Sequence, residues 1–505
     1  MTAPAIELVG IDKRFGAVHA NRDIHLVVEK GTIHGIVGEN GAGKSTLMSI
    51  LYGFYQADAG KILIDGAEVS IPDSKAALGH GIGMVHQHFM LVETFTVLEN
   101  VVLGAEGGAL IGPALNRARA ELARLSDAYG LKVHPDAVVS SLSVGELQRV
   151  EILKALYRGA EILILDEPTG VLTPPEADEL FGILRVLRGQ GKTVLLITHK
   201  LREIKAVTDA VSVMRQGAMV ATRTTAEVSV EELASLMVGR SVLLRVDKGP
   251  AKPGRTVLAV EGLTVIDRRG VLRVKDVSFE VRAGEIVGIA GVSGNGQSEL
   301  IEAIAGLRRP TLGRVLIDGA PAAGTPEKVR RQGLAHVPED RHRMGLVIPF
   351  EAAENAILGY HDDPALGPGP MLSPDKVRAH AKEAFAAYDV RPPDVRLKTA
   401  NFSGGNQQKI VLAREIERDP VVLVVGQPTR GVDIGAIEFI HRRLVALRDA
   451  GKGILLVSVE LDEIRALSDR ILVMFDGKLM GECATDAPEG ELGLLMAGCM
   501  PEAAQ

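Results

Sequence analysis

The sequence predicts an α/β fold built twice in tandem, and three observations carry that prediction. Apolar runs of four or five residues bounded by turn residues occur at 33–37, 162–165 and 194–197. Such runs suit parallel strands covered on both faces. A glycine-rich loop joins the first run to a helical stretch at 45–52. The same order of segments then recurs about half the chain later.

The loop reads Gly38-Glu39-Asn40-Gly41-Ala42-Gly43-Lys44-Ser45. It fits G-x-x-x-x-G-K-[ST] in the strand–loop–helix setting that motif requires. Its glycines let successive backbone N–H groups wrap a triphosphate, and the helix N-terminus adds partial positive charge. Lys44 would reach the β- and γ-phosphates, and the Ser45 hydroxyl would ligate Mg²⁺. A helical stretch at 115–129 follows. The strand at 162–165 ends in Asp166-Glu167-Pro168. Asp166 is placed to hold Mg²⁺ through water, and Glu167 to act as general base on the attacking water. Pro174-Pro175 before Glu176 suits a helix start. His199 follows the strand at 194–197 through Thr198 and is a candidate γ-phosphate sensor. Gln87, in Met84-Val85-His86-Gln87, lies between the loop and the helical part, where it would touch Mg²⁺ or the water. Spacing alone gives Gln87 no role. Phe15, in Lys13-Arg14-Phe15-Gly16, is either an adenine-stacking ring or a buried core residue.

Of the 505 residues, 46% are hydrophobic and 24% charged, an ordinary globular composition long enough for more than one domain. The net charge is −7, aromatics are 3%, and there is no Trp, which argues against a nucleic-acid channel with its basic stripe and stacking rings. The two cysteines, Cys483 and Cys499, lie late in the chain and suit a reducing cytosol without a disulfide framework or metal site. Residues 1–7 lack a signal-peptide pattern, and no stretch approaches the roughly 20 apolar residues of a membrane span. Any link to a membrane is therefore expected through a partner.

Residues 284–291 echo 31–38 at an offset of 291 − 38 = 253, and Phe402-Ser403-Gly404-Gly405 echoes Leu142-Ser143-Val144-Gly145 at 402 − 142 = 260. The second half thus carries a net insertion of 260 − 253 = 7 residues, expected in the Pro/Gly-rich segment 364–370. A repeat of half the chain is a duplicated domain. The expected division is a first domain at 1–245, a linker at 246–256 and a second domain at 257–505. A second helical stretch is expected at 375–388.

With Gly38–Ser45, Gln87, Leu142-Ser143-Val144-Gly145-Glu146-Leu147-Gln148, Asp166-Glu167 and His199 in this order, the chain resembles the ATP-binding subunit of an ABC transporter. The motifs are Walker A, Q-loop, signature, Walker B and switch. The resemblance spans nearly the whole chain. It implies two tandem P-loop (RecA-like) ABC ATPase domains, each with a helical subdomain and an antiparallel β subdomain. It implies ATP and Mg²⁺ as cofactors, with Glu167, His199, Lys44 and Gln87 catalytic and Ser45, Gln87 and Asp166 at the metal. It implies nucleotide contacts from Phe15, Gly38, Glu39, Asn40, Gly41, Ala42, Gly43, Lys44, Ser45, Thr46, Ser403, Gly404, Gly405 and Gln407. In this family each ATP is sandwiched between one domain's Walker motifs and the other's signature.

The second half departs from the first. Its loop, Gly291-Val292-Ser293-Gly294-Asn295-Gly296-Gln297-Ser298, has Gln297 in place of Lys44. Gly426 stands for Asp166, Gln427 for Glu167, Val459 for His199 and Glu339 for Gln87, and no aromatic takes the Phe15 position. Its signature, Ser403-Gly404-Gly405-Asn406-Gln407, is complete, whereas the first half has Val144 as the middle residue. Paired crosswise, this predicts one hydrolytic composite site and one that at most binds nucleotide. Gly170, where the family more often has Ala, and Val459 are departures that leave the assignment standing.

Gln427-Pro-Thr-Arg-Gly431 resembles simple-sugar importers, and Met84-Val85-His86-Gln87-His88-Phe89-Met90-Leu91, Gly294 to Leu300, His336 to His342 and Gly435 to His441 resemble their nucleoside branch. The resemblance implies ATP-driven nucleoside import, with ribose or galactose import as the alternative. The implied partners are integral-membrane permease subunits and an extracytoplasmic solute-binding lipoprotein, with no nucleic acid, at the cytoplasmic face of the inner membrane as a peripheral subunit. Permease coupling is expected in 89–96 and 343–351. A non-transport soluble ABC ATPase is the remaining alternative. A ribosomal one would carry two complete sites and a long charged linker. A DNA-repair one would carry a coiled coil or zinc cysteines between Walker A and signature. This chain has none of these.

Overall fold

The computed structural model describes the chain except residues 1–2, 17, 87–88, 106–110, 171, 173, 241–247, 268, 293, 368–370 and 500–505, and except the side chains of 111–114 and 174. The described residues form two compact units, 1–242 and 243–505.

In unit 1, β1 (Ile6–Phe15), β2 (Val18–Val28), β3 (Ile33–Gly38), α1 (Lys44–Leu51), β4 (Ala59–Ile64), β5 (Ala67–Val69), α2 (Ser74–Gly79) and β6 (Ile82–Val85) come first. A helical segment follows, with α3 (Val97–Val102), α4 (Ile111–Tyr129) and α5 (Val144–Tyr157). Then come β7 (Ile162–Asp166), α6 (Pro174–Gly189), β8 (Thr193–Ile197), α7 (Leu201–Val207), β9 (Ala210–Arg215), β10 (Ala218–Thr224) and α8 (Val230–Val238). The strands make an antiparallel sheet, β2-β1-β4-β5, and a six-stranded sheet, β10-β9-β3-β8-β7-β6. In the six-stranded sheet only β10 runs antiparallel to its neighbour.

The residue pattern explains the placement. β3 and β8 are buried at every position, as a strand covered on both faces must be. The antiparallel sheet lays Ile6, Leu8, Ile11 and Leu26 against Leu47 and Met48 of α1 and Ile36, Ile164 and Leu195 of the parallel sheet. α3 opens with a capping box from Thr96 and Glu99, and α5 with one from Ser143 and Glu146. α3, α4 and α5 meet through Val97, Val101, Leu122 and Val150.

Unit 2 repeats this plan. Its strands are β11 (Thr256–Ile266), β12 (Leu272–Arg282), β13 (Ile286–Ala290), β14 (Leu312–Ile317), β15 (Ala320–Pro321), β16 (Leu334–Val337), β17 (Val422–Gly426), β18 (Gly453–Ser458), β19 (Arg470–Phe475) and β20 (Lys478–Cys483). Their orders, β12-β11-β14-β15 and β16-β17-β18-β13-β19-β20, match those of unit 1 strand for strand. The helices needed below are α9 (Gln297–Ile304), α10 (Pro374–Ala387), α11 (Gly404–Ile416) and α12 (Ile434–Asp449).

Two sequence expectations are corrected. The insertion does not sit in 364–370 alone. The offset is 337 − 85 = 252 at the ends of β16 and β6. It is 355 − 100 = 255 at the buried Asn355 and Asn100, each of which brackets its own loop by accepting from Val347 N or Val92 N. It is 398 − 138 = 260 at the bridges Glu351–Lys398 and Thr96–Val138. Three residues therefore enter in the π-helical turn Arg341–Gly345 and five beyond it. The expected linker is also largely part of unit 2. Lys248 Nζ donates to Leu467 O at 3.0 Å, Gly249 O accepts from Arg448 at 3.0 Å and Gly254 N donates to Ala283 O at 2.7 Å, while β11 already begins at Thr256. Residues 246–247 lie outside the described residues.

Candidate functional site

The site of unit 1 gathers at the carboxyl ends of β3, β7 and β8, adjacent strands of the parallel sheet. The loop after β3 folds as the glycine pattern dictates. Gly43 has φ +98°, and a Cβ there would strike the Ala20 carbonyl and Asn21. Asn21, fully buried, donates to Gly43 O at 3.1 Å and fixes the loop from below. Lys44 is buried and donates to Gly38 O at 2.7 Å and Glu39 O at 3.0 Å. Burial pulls its pKa below the ordinary value, against the raising effect of Glu167, Asp166 and Glu39. Its ammonium thus lies over the loop whose N–H groups would hold phosphate. Ser45 and Thr46 open α1 behind it.

Asp166 ends β7 and hydrogen-bonds Ser45. Burial, then neighbouring Glu167, push its pKa up, and Lys44 and Ser45 oppose them. Among the described residues no group of three His, Cys, Asp or Glu side chains forms an all-protein metal cage. One carboxylate and one hydroxyl fit Mg²⁺, which keeps most of its octahedral shell for water and phosphate oxygens. Gln87 lies outside the described residues.

Glu167 stands at φ +47°, in the left-handed region, with its N–H donating to Ile197 O at 2.8 Å. That turn carries its carboxylate to His199, whose Nδ1 lies 2.9 Å from Oε1. Burial pushes the Glu167 pKa up, but the hydrogen bond and charge of His199, with Lys44 and Lys200, outweigh it and hold the carboxyl below the usual range. Glu167 is therefore a carboxylate at neutral pH, able to accept a proton. Phe15 is 42% exposed, which excludes the buried-core reading. Its ring meets Tyr55 edge-on at 5.1 Å and carries Lys13 Nζ at 5.5 Å from the centroid.

Sequence reasoning missed Glu203. It accepts from Thr169 Oγ1 at 2.5 Å and from Thr198 Oγ1 at 3.0 Å, tying the loop after Glu167 to the loop of His199. Burial raises its pKa. Its signal in the sequence was recurrence at the repeat offset, since 203 + 260 = 463 and Glu463 is again a buried carboxylate.

The two signature loops differ in more than the middle residue. Ser143 caps α5 in a box with Glu146, whose carboxylate accepts from Ser143 N at 2.8 Å at the helix N-terminus, where it disfavours a phosphate. Ser403 caps α11 with neutral Asn406, whose Nδ2 donates to Ser403 Oγ at 2.8 Å. A Cβ on Gly404 would lie 2.6 Å from Arg341 Nη2 and 2.6 Å from Gly431 O, so only glycine fits. Gln407 stands differently from its expected nucleotide contact. It is 6% exposed, and its side chain bonds Thr399 O and Phe402 O at 3.1 Å, His342 Nε2 at 2.7 Å and Arg341 Nε at 3.4 Å. It holds the loop from inside.

Arg341 is the second residue missed. It opens the π-helical turn that accommodates the three extra residues and donates to Arg430 O at 2.7 Å, fastening the signature loop to the loop after β17. In the loop of unit 2, Gln297 is buried, and Gln427 keeps φ +47° while its Oε1 accepts from Val459 N at 3.3 Å. Glu339 Oε2 accepts a hydrogen bond from the Ser298 hydroxyl.

The ABC transporter family model matches residues 21–170 and 274–430, one stretch in each unit, and the two stretches hold the loops after β3 and β13, the ends of β7 and β17 and the signature positions. The guanosine import ATP-binding protein NupO of Bacillus subtilis is 49% identical over 98% of this chain and 97% of its own. The nucleoside import ATP-binding protein NupA of Lactococcus lactis subsp. cremoris is 47% identical over 98% of both chains. The glucose import ATP-binding protein TsgD13 of Haloferax volcanii is 45% identical over 98% of this chain and 96% of its own. The chain therefore belongs to the ABC transporter family, as an ATP-binding ATPase subunit with two tandem copies of the family's domain.

Proposed function

We propose that the chain hydrolyses ATP to drive nucleoside import through membrane permease subunits. The observation that carries the catalytic part is Glu167 and His199 at 2.9 Å, beside the buried Lys44 and the Ser45–Asp166 pair. Mg²⁺, bound by Ser45 and Asp166 with Gln87 as the expected further ligand, would neutralise charge on the β- and γ-phosphates. Lys44 steadies the same oxygens, Glu167 takes the proton of the attacking water and His199 orients Glu167. At the matching places unit 2 keeps only the serine hydroxyl, as Ser298. Hydrolysis is accordingly assigned to the Walker motifs of unit 1, completed by the signature of unit 2 in a sandwich formed within one chain.

Nucleosides are favoured as solute because the relatives named for guanosine and nucleoside import are 49% and 47% identical over nearly full length. A sugar is the second reading, favoured by the 45% identity to the glucose relative. No described helix is long and apolar enough to cross a membrane. Attachment to the inner membrane's cytoplasmic face is therefore assigned to permease contacts, with a solute-binding lipoprotein on the far side. A groove of about 250 Å³ in unit 1, lined by Tyr52, Phe54, His86, Met90, Glu151 and Arg158, suits a permease segment. Uptake of labelled guanosine, ribose and glucose in cells carrying the intact chain or Lys44→Ala tests the reading. Lys44-dependent guanosine uptake supports it, and Lys44-dependent uptake of a sugar alone overturns the nucleoside assignment.

A further inference from the structure

Aligned by position, unit 2 has lost its metal-side carboxylate, since Gly426 stands where Asp166 stands. The structure shows what fills that space. A Cβ on Gly426 would lie 2.5 Å from Glu339 Cγ and 3.1 Å from Glu339 N. Glu339 follows β16, which pairs with β17. Its side chain crosses the bare backbone of Gly426 and accepts a hydrogen bond from the Ser298 hydroxyl. In unit 1 the corresponding hydroxyl, Ser45, hydrogen-bonds Asp166. Both units therefore set one carboxylate on the hydroxyl that opens the phosphate-loop helix. In unit 1 it comes from the end of the strand, and in unit 2 from the end of the strand beside it. Aspartate to glycine at 426 and glutamine to glutamate at 339 are one exchange: the glycine makes room for the longer acid.

A second, independent feature points the same way. Gln297 is 5% exposed, and its amide nitrogen lies against Gly291, where a Cβ would overlap it. In unit 1 the Lys44 ammonium reaches the matching glycine by donating to Gly38 O at 2.7 Å. Unit 2 thus keeps an N–H donor at the lysine position, although a neutral one. Gly294 at φ +92° and Gly296 at φ +99° preserve the loop's turn, and α9 follows.

We propose that unit 2 binds a Mg²⁺–nucleoside triphosphate, with the Glu339 carboxylate and Ser298 hydroxyl as the protein oxygens on the metal side. Mg²⁺ accepts such a set, one carboxylate with the remaining places taken by water and phosphate. Binding is weaker than in unit 1, because Gln297 brings no charge to the phosphates. It is not followed by hydrolysis, because the Gln427 amide takes up no proton from water and Val459 has no imidazole in place of His199. The inference rests on the reading above, in which turnover belongs to unit 1.

The test counts Mn²⁺, an EPR-visible stand-in for Mg²⁺, bound to the full-length chain with a non-hydrolysable ATP analogue. Two classes of bound Mn²⁺ are expected, and Lys44→Ala weakens the tighter one. Glu339→Ala and, separately, Ser298→Ala are expected to weaken the other class by more than the roughly 10–100-fold that losing an outer-shell partner costs. Circular dichroism of each variant checks that the fold is retained. A single Mn²⁺ class in the wild type, or a second class indifferent to Glu339→Ala and Ser298→Ala, overturns the inference. The assignment of turnover to unit 1 is read separately, by phosphate release from a Glu167 variant, so the two fail independently.

Discussion

Replacing Glu167 by glutamine removes a proton acceptor and almost nothing else. Unit 2 already carries this replacement: Gln427 takes the same φ of +47° and the same backbone bond, its N donating to Val457 O at 2.8 Å as Glu167 N donates to Ile197 O. The variant is thus expected to fold, keep the strand end and keep an oxygen within reach of His199. The loss is that of a positioned general base, about 10²–10⁴ in rate. At about 1.36 kcal/mol per decade this raises the barrier by roughly 2.7–5.4 kcal/mol. Nucleotide binding, which draws on Lys44, the loop N–H groups and the Ser45–Asp166 pair, is expected to stay within about threefold, under 1 kcal/mol. The assay is steady-state phosphate release beside equilibrium binding of a fluorescent ATP analogue. Turnover within tenfold of wild type would refute the assignment of Glu167, and with it the assignment of hydrolysis to unit 1.

Other consequences are open to measurement. His199→Ala removes the chief influence holding Glu167 below the usual carboxylate range, while burial remains to push it up. The base works ionised, so as pH falls the residual activity is lost at a higher pH than in wild type; an unmoved acid limb of the rate–pH profile would contradict the coupling. Arg341→Ala frees the signature loop from Arg430 O. At about 0.5–1.5 kcal/mol for one hydrogen bond to an exposed carbonyl, phosphate release is expected to drop roughly two- to tenfold while nucleotide affinity of unit 1 holds; unchanged release would show that the fastening is idle. Arg414→Ala strips the partner from Glu415, which is buried with it at 3% and 0% side-chain exposure, and gives up the bond to Gly345 O at 2.7 Å. An unpaired buried charge costs about 3–5 kcal/mol, read as an earlier denaturant midpoint.

Strands, loops and the catalytic order were legible because each is written locally. The run at 33–37, the glycines of the loop and Asp166-Glu167 declare their roles within a dozen residues. What stayed hidden depends on distant side chains meeting. Glu203 acquires its meaning only from Thr169 and Thr198, one of them 34 residues away. Arg341 opens the turn that holds the insertion, where comparing the halves fixes no counterpart for it. The Gly426 and Glu339 changes read as two separate losses until their atoms are seen to share one space. Phe15 could be core or surface by sequence, and only the fold, which leaves it at the end of β1, decides. The linker looked free because Pro, Gly and Lys are linker-like, yet Lys248 finds carbonyls more than 200 residues on.

The left-handed turn at φ +47° occurs in both units, once under glutamate and once under glutamine. A non-glycine residue held there costs of order 1–2 kcal/mol. Since Gln427 bears that cost with no proton to accept, the strain belongs to the turn that ends the strand and not to the acid. It follows that stability and activity oppose one another at position 167: a glycine there would relax the backbone and leave a sturdier chain unable to turn over ATP. Selection for thermal endurance alone would therefore erode the catalytic half by a route unlike that of the other half, where glutamine replaced the acid and kept the strain.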